Sequence, residues 1–224
     1  MEKLVLLSVM LATCFAAPQD LSGKVFIFPK ETNKDHVKLI TSRNGFSAMT
    51  VCLRYLTDLN RQYSLFSLAT PTHDNDFEIC KAKNSAAIIM HARNAVATFQ
   101  SLTLPPNDWH AVCGTWQSEN GLAQVWVDGK PTIKRYIHSG EPISGATSSI
   151  LGQEQDTHGG GFHISQAFIG MITKVHAWDH VLSDQEFKRY MDDSGFTPGN
   201  VYNWRNLEYE IQGQIYLENE PIVM

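Results

Sequence analysis

The sequence is poor in positive charge. Lys and Arg total 18 against 23 Asp and Glu, a formal charge of −5 over 224 residues. Neutralising phosphates needs a basic face, so electrostatic nucleic-acid binding is excluded. Long apolar runs are missing too. No stretch of 18 or more apolar residues follows the N-terminus, so neither a membrane-spanning helix nor membrane insertion is expected of the mature chain. Charged residues make up only 18% and hydrophobic residues 43%, which excludes a disordered chain and a coiled coil and leaves enough apolar material for a core. Cysteine is scarce, at four residues, and no Cys-x-x-Cys pair occurs. A structural zinc site is therefore not expected, and His110 three residues before Cys113 does not make one. Gly-x-Ser-x-Gly and His-Glu-x-x-His are both absent, leaving two common hydrolase signatures unfilled. No internal repeat or linker stands out, so the chain reads as one domain.

The N-terminus reads as an address. Met1-Glu2-Lys3 is followed by an almost purely apolar run, Leu4 to Phe15, and then by the small residues Ala16 and Ala17. This is the layout of a secretory signal peptide. Cleavage after Ala16 places small residues at the last and third-last positions, giving a signal peptide over 1–16 and a mature domain over 17–224. Secretion removes Cys14 and leaves Cys52, Cys80 and Cys113. An oxidising compartment favours one disulfide among three thiols, with one thiol left over.

The remainder is dominated by short β-rich runs. They are Val25–Phe28, Ala48–Leu56, Tyr63–Ala69, Ala86–Met90, His110–Trp116, Ala123–Val127, Ile169–Trp178 and Glu208–Leu217, with a polar break at Thr72–Asp76. Asp128-Gly129 is a hairpin signal. Strands at this density predict an all-β jelly-roll sandwich. One helix is expected where Ser183-Asp184-Gln185-Glu186 forms a capping box. Phe187, Tyr190 and Met191 then supply its apolar stripe.

An acidic segment is the chemical lead. Glu154-Gln155-Asp156 precedes Gly159-Gly160-Gly161. In an extended chain the two carboxylates share a face, roughly 6–7 Å apart, while Gln155 offers its carbonyl. Such oxygens suit calcium. Asp74-Asn75-Asp76 is a second acidic group. A glycan-active β-sandwich hydrolase is the competing reading, because Glu154-Gln155-Asp156 matches the first half of Glu-x-Asp-x-x-Glu. The third position is Gly159, so one catalytic carboxylate is missing. A structural carrier stabilised by calcium is a third reading.

Ile150-Leu151-Gly152-Gln153-Glu154-Gln155-Asp156, Val25-Phe26-Ile27-Phe28-Pro29-Lys30-Glu31, Val125-Trp126-Val127-Asp128-Gly129-Lys130-Pro131 and Ala177-Trp178-Asp179 together resemble the short pentraxin family, of the C-reactive protein and serum amyloid P component type. The resemblance covers nearly the whole mature chain. It implies a jelly roll of two antiparallel sheets with one short helix on one face, and a Cys52–Cys113 disulfide. It implies a homo-oligomeric ring, usually a pentamer, that binds phosphocholine-like or other anionic surface ligands through calcium and recruits complement-type effectors. The implied first calcium site uses Asp74, Asn75, Glu154, the Gln155 carbonyl and Asp156. The second shares Glu154 and Asp156 and adds Gln166, but His163 stands where the family has Glu.

Imidazole is a donor that calcium does not favour, so one firm site and one weakened site are expected. Cys80 stands where the family places a Phe beneath the choline methyls, and Arg93 to Thr98 lacks the acid that faces the ammonium. Cys80 reads either as a buried inert thiol or as an intermolecular crosslink. Taken together, these features describe a secreted pattern-recognition protein of innate immunity, of the acute-phase type, and not an enzyme.

Overall fold

A computed structural model describes residues 17–83 and 85–221. The signal-peptide segment lies outside the described residues. Two large antiparallel sheets face each other. The larger, of nine strands, runs Lys130–Pro131, Leu122–Val127, His110–Gln117, Ala48–Leu56, Gly170–Trp178, Lys24–Phe28 and Tyr216–Asn219 in spatial order, with Arg135–Tyr136 also paired to Leu122–Val127 and Tyr202–Asn203 to Gly170–Trp178. The other runs Tyr209–Gln212, His36–Leu39, Ser148–Leu151, Tyr63–Thr70, His73–Lys81, Ile88–Ala92 and Ala95–Phe99. This is the expected jelly-roll sandwich.

The core forms where the inner faces meet. Alternate residues of each strand turn inward, so Phe26, Val51, Leu53, Phe66, Phe77, Ile79, Val112 and Trp116 bury together. Strand Tyr63–Thr70 is buried along its whole length. Its inner side chains join this core, and a loop described below covers its outer face.

The larger sheet carries the single α-helix of the described residues, Asp184–Met191, on its outer face. Its capping box forms as expected. The Ser183 backbone N–H donates to Glu186 Oε2 at 2.7 Å, and Ser183 Oγ accepts from the Glu186 backbone N–H. Phe187 stacks on Trp126 with ring centres 4.6 Å apart, and Tyr190 meets Trp178 edge-on. Beneath them Cys52 and Cys113 sit directly opposite each other on paired strands and are joined by a disulfide. The bond used by Cys113 removes it from any metal role. His110 is occupied by Asp128 Oδ2 and the Pro105 carbonyl, both at 2.8 Å.

Two boundaries differ from the sequence expectation. The polar break at Thr72–Asp76 is mostly strand, because His73–Lys81 begins directly after a turn at Pro71 and Thr72. Ladder pairing with Tyr63–Thr70 overrides its polar composition. The run Glu208–Leu217 is two strands, Tyr209–Gln212 and Tyr216–Asn219, which join opposite sheets. Gly213, with φ of +82°, makes the crossing. Its short length is why periodicity merged the two strands.

Two measurements check these forces. The disulfide closes a separation of 61 residues. Loop-closure entropy then predicts that Cys52→Ala/Cys113→Ala lowers the urea unfolding free energy by about 4 kcal/mol. The second concerns His176, which is 2% exposed among Trp178, Tyr190 and Phe196. Its Nδ1 accepts the Gly199 N–H. Burial, aided by Arg205 and opposed weakly by Asp193, pushes its pKa down to about 3. The unfolded chain takes up this proton near pH 6.5 and the native chain does not. Stability is therefore intact above pH 6.5 and falls as pH drops towards 3, by up to about 1.4 kcal/mol per pH unit. His176→Asn keeps an acceptor for Gly199 and is expected to flatten that slope in acid-denaturation curves.

Candidate functional site

The outer face of the seven-stranded sheet, on the side away from the helix, carries the acidic residues. Strand His73–Lys81 sends Phe77 and Ile79 into the core. Alternation therefore turns Asp76, Glu78 and Cys80 outward. Register sets Ser67 and His91 on either side of Glu78, and Ser64 beside Cys80.

The Glu154 loop covers this face and is held by its own amides. It leaves strand Ser148–Leu151 at Gly152, where φ is +85° and a Cβ would collide with the Phe28 ring. Only glycine fits both conditions. Gln153 Nε2 donates to the Thr32 and Asp35 carbonyls at 2.7 and 2.9 Å. Ser67 Oγ donates to the Gln153 carbonyl at 2.7 Å. Gln155 is fully buried, and its Nε2 donates to the Ser67 and Ser148 carbonyls, while its Oε1 accepts from the Gly159 N–H. The Gln155 side chain is thus consumed internally, which leaves its backbone carbonyl for any ligand role. Gly159 itself lies in a tight turn spanned by the Thr157–Gly160 bridge.

Two stretches distant in sequence converge here. The Asn75 amide approaches the Glu154 carboxylate. Glu154 is 4% exposed, and its pKa is raised to about 7 by burial first, then by Glu78 and Asp156; Asn75 and His91 act in the opposite direction. Asn75 Oδ1 and Glu154 Oε2 are buried oxygens without a hydrogen-bond partner. Buried, unpartnered oxygens beside excess negative charge fit a hard cation such as calcium.

Asp74 is half-buried at the edge of the cluster and accepts the Asn75 N–H at 3.1 Å. Asp156 is exposed. Gln166 ends a short 3₁₀ turn, Ile164–Gln166, and His163 is exposed, with Nδ1 3.1 Å from Ser165 Oγ. Among the described residues, no hydrogen bond ties Gln166 or His163 to Glu154 or Asp156.

The model of the Pentaxin family matches residues 24–219. The chain belongs to the pentaxin family. It is 40% identical to C-reactive protein of Sus scrofa over 97% of this chain and 98% of that protein. It is 38% identical to serum amyloid P-component of Rattus norvegicus over 97% and 96%. A native heptameric SAP-like pentraxin from Limulus polyphemus superposes with a TM-score of 0.81 at 22% identity, over 89% of this chain and 96% of that one.

In this pentaxin the sequence named Asp76 only as one member of an acidic group, and it left Glu78 and His91 unmarked. Asp76 is fully buried and pairs with Arg93 at 2.7 Å, and Thr70 Oγ1 also donates to it. Arg93 and Asn94 have φ of 52° and 59°, so they form the paired positive-φ turn of a hairpin between Ile88–Ala92 and Ala95–Phe99. That turn clamps the acidic strand. The Arg93 N–H donates to the Asp76 carbonyl, the Asn94 N–H to the Asn75 carbonyl, and Asn94 Oδ1 accepts the Asn75 N–H. Glu78 and His91 are joined at 2.7 Å. A signal for Glu78 lay in the period-two pattern Asp74-x-Asp76-x-Glu78-x-Cys80, and His91 had none.

Cys80 is 2% exposed, which favours the buried thiol over an intermolecular crosslink. Arg93 to Thr98 holds no acid, yet Glu78 brings a carboxylate to this face from the neighbouring strand. Removing Arg93 strands a buried charge. Arg93→Leu is expected to destabilise the fold by about 3–5 kcal/mol in denaturant titrations, and Asp76→Asn in the same chain to restore most of the loss.

Proposed function

We propose that this pentaxin is a secreted, calcium-dependent recognition protein of innate immunity that binds phosphate-bearing or other anionic ligands on microbial or damaged-cell surfaces. The observation that carries this reading is the pair of unpartnered buried oxygens, Asn75 Oδ1 and Glu154 Oε2, set between two acidic stretches. Asp74, Asn75, Glu154, the Gln155 carbonyl and Asp156 would hold one ion. Glu154, Asp156 and Gln166 would hold a second, weaker one, with His163 in place of a carboxylate. A bound calcium ion supplies positive charge to the oxygens of an anionic ligand.

The chain's own residues set the rest. Gln153 and Gln155 hold the loop in place. Arg93 and Asn94 hold the strand that carries Asp74 and Asn75. The replacement of an aromatic floor by Cys80 shifts recognition away from choline and towards the anionic group itself. A homo-oligomeric ring, with a pentamer favoured, would present several such sites on one face. Avidity then exceeds single-site affinity by about 10²–10⁴. The helix-bearing face is left for complement-type effectors. Secretion follows from residues 1–16, and among the described residues no helix is long and apolar enough to cross a membrane. The relatives carry the names C-reactive protein and serum amyloid P-component, and neither name is that of a hydrolase, which supports a non-enzymatic role.

Retention on phosphoethanolamine and phosphocholine resins is the test. Retention is expected to require calcium, to be lost in chelator, and to fall by about tenfold or more in affinity with Asp74→Ala. Calorimetry is expected to show one tight and one weak calcium event per chain. Two events of equal affinity would contradict the weakened second site, and full retention in chelator would leave a structural carrier as the better reading.

A further inference from the structure

We infer that Glu78, Cys80 and His91 form a binding site for a transition-metal ion of the zinc class, separate from the calcium set. The donors come from two paired strands. Glu78 and Cys80 are two residues apart on one face of His73–Lys81, and His91 stands directly opposite Glu78 on Ile88–Ala92. One ligand atom from each lies within 4.8 Å of the other two. The paired backbones fix this spacing before any ion arrives.

The donor chemistry differs from that of the calcium set. Carboxylate, thiolate and imidazole together suit a borderline-soft ion. Calcium takes oxygen donors and has little use for sulfur or nitrogen. Three protein donors leave a fourth position open, as zinc sites with exchangeable ligands do. The side chain of His91 is 25% exposed while that of Glu78 is 2% exposed, so approach is from the His91 side.

A second, independent observation points to a missing partner. Glu78 Oε1 is buried and makes no hydrogen bond, although Oε2 is held by His91 Nδ1. The surroundings are rich in negative charge, which His91 and Arg93 only partly offset. Glu78 and Glu154 sense one another, and the Arg93 guanidinium close by is engaged with Asp76 and Glu141. Burial, with Glu78 and Glu154, also pushes the Cys80 thiol up, so without an ion it stays protonated. A divalent cation relieves the repulsion, and Cys80 binds as thiolate by releasing its proton to solvent. Searching for paired cysteines misses such a site, because its three donors are of different types and only strand pairing brings them together.

Cobalt makes the sulfur visible. The calcium-loaded protein is titrated with Co²⁺ and then with competing Zn²⁺. One Co²⁺ per chain is expected, with an ultraviolet thiolate-to-cobalt charge-transfer band that Zn²⁺ abolishes. Cys80→Ser and Cys80→Ala are expected to lose the band, and His91→Ala to weaken zinc binding by about 100-fold or more. Circular dichroism reports the fold of each variant. Asp74→Ala is expected to keep the cobalt band, so failure of the calcium reading and failure of this one are distinguishable. Cobalt binding without a sulfur band, or zinc affinity unchanged in folded Cys80→Ser and His91→Ala proteins, overturns the inference.

Discussion

The structure depends on how negative charge is held under one face of a β-sandwich. Asp76, Glu78 and Glu154 are all nearly inaccessible to water. Burial of carboxylates is costly unless each has a partner. Asp76 has Arg93 and Thr70, and Glu78 has His91 through one oxygen. Glu154 has the Asn75 amide and the more distant His91 to favour its charge, and burial still raises its pKa towards neutrality. The fold is therefore complete in its apolar core and incomplete in charge at this face. That incompleteness is the basis of the proposed cation binding, because a cation of suitable chemistry would satisfy it.

The opposite face shows the reverse balance. There Trp126, Trp178, Phe187 and Tyr190 pack over the disulfide with few charges involved. One face is closed by apolar packing and a covalent link. The other is closed by amides, with Gln153 and Gln155 replacing a hydrophobic lid by hydrogen bonds to backbone carbonyls. Hydrogen-bonded closure holds a polar loop in one shape without apolar cover, which ligand chemistry at a solvent boundary requires.

Much of the fold was legible in the strand runs. Ala48–Leu56 occupies the run read from its composition, and the Ser183 capping box forms as its residues imply. Short strands such as His36–Leu39 and Ser148–Leu151 were not legible as strands, because four residues carry too little periodicity. The site was half legible. Glu154-Gln155-Asp156 and Asp74-Asn75 stood out as acidic clusters. Glu78 and His91 did not, since each is unremarkable in its own segment and only pairing between strands makes them neighbours.

Sequence alone determined the sandwich, the capped helix, the cysteine count and the chemical types available to the acidic loop, because periodicity, capping and composition are local properties. Tertiary structure decided which oxygens are buried, which of them lack partners, and that Cys80 lies beside Glu78 and His91 instead of reaching another chain. Those outcomes follow from register and desolvation, which arise only when strands far apart in sequence are brought together and water is removed between them.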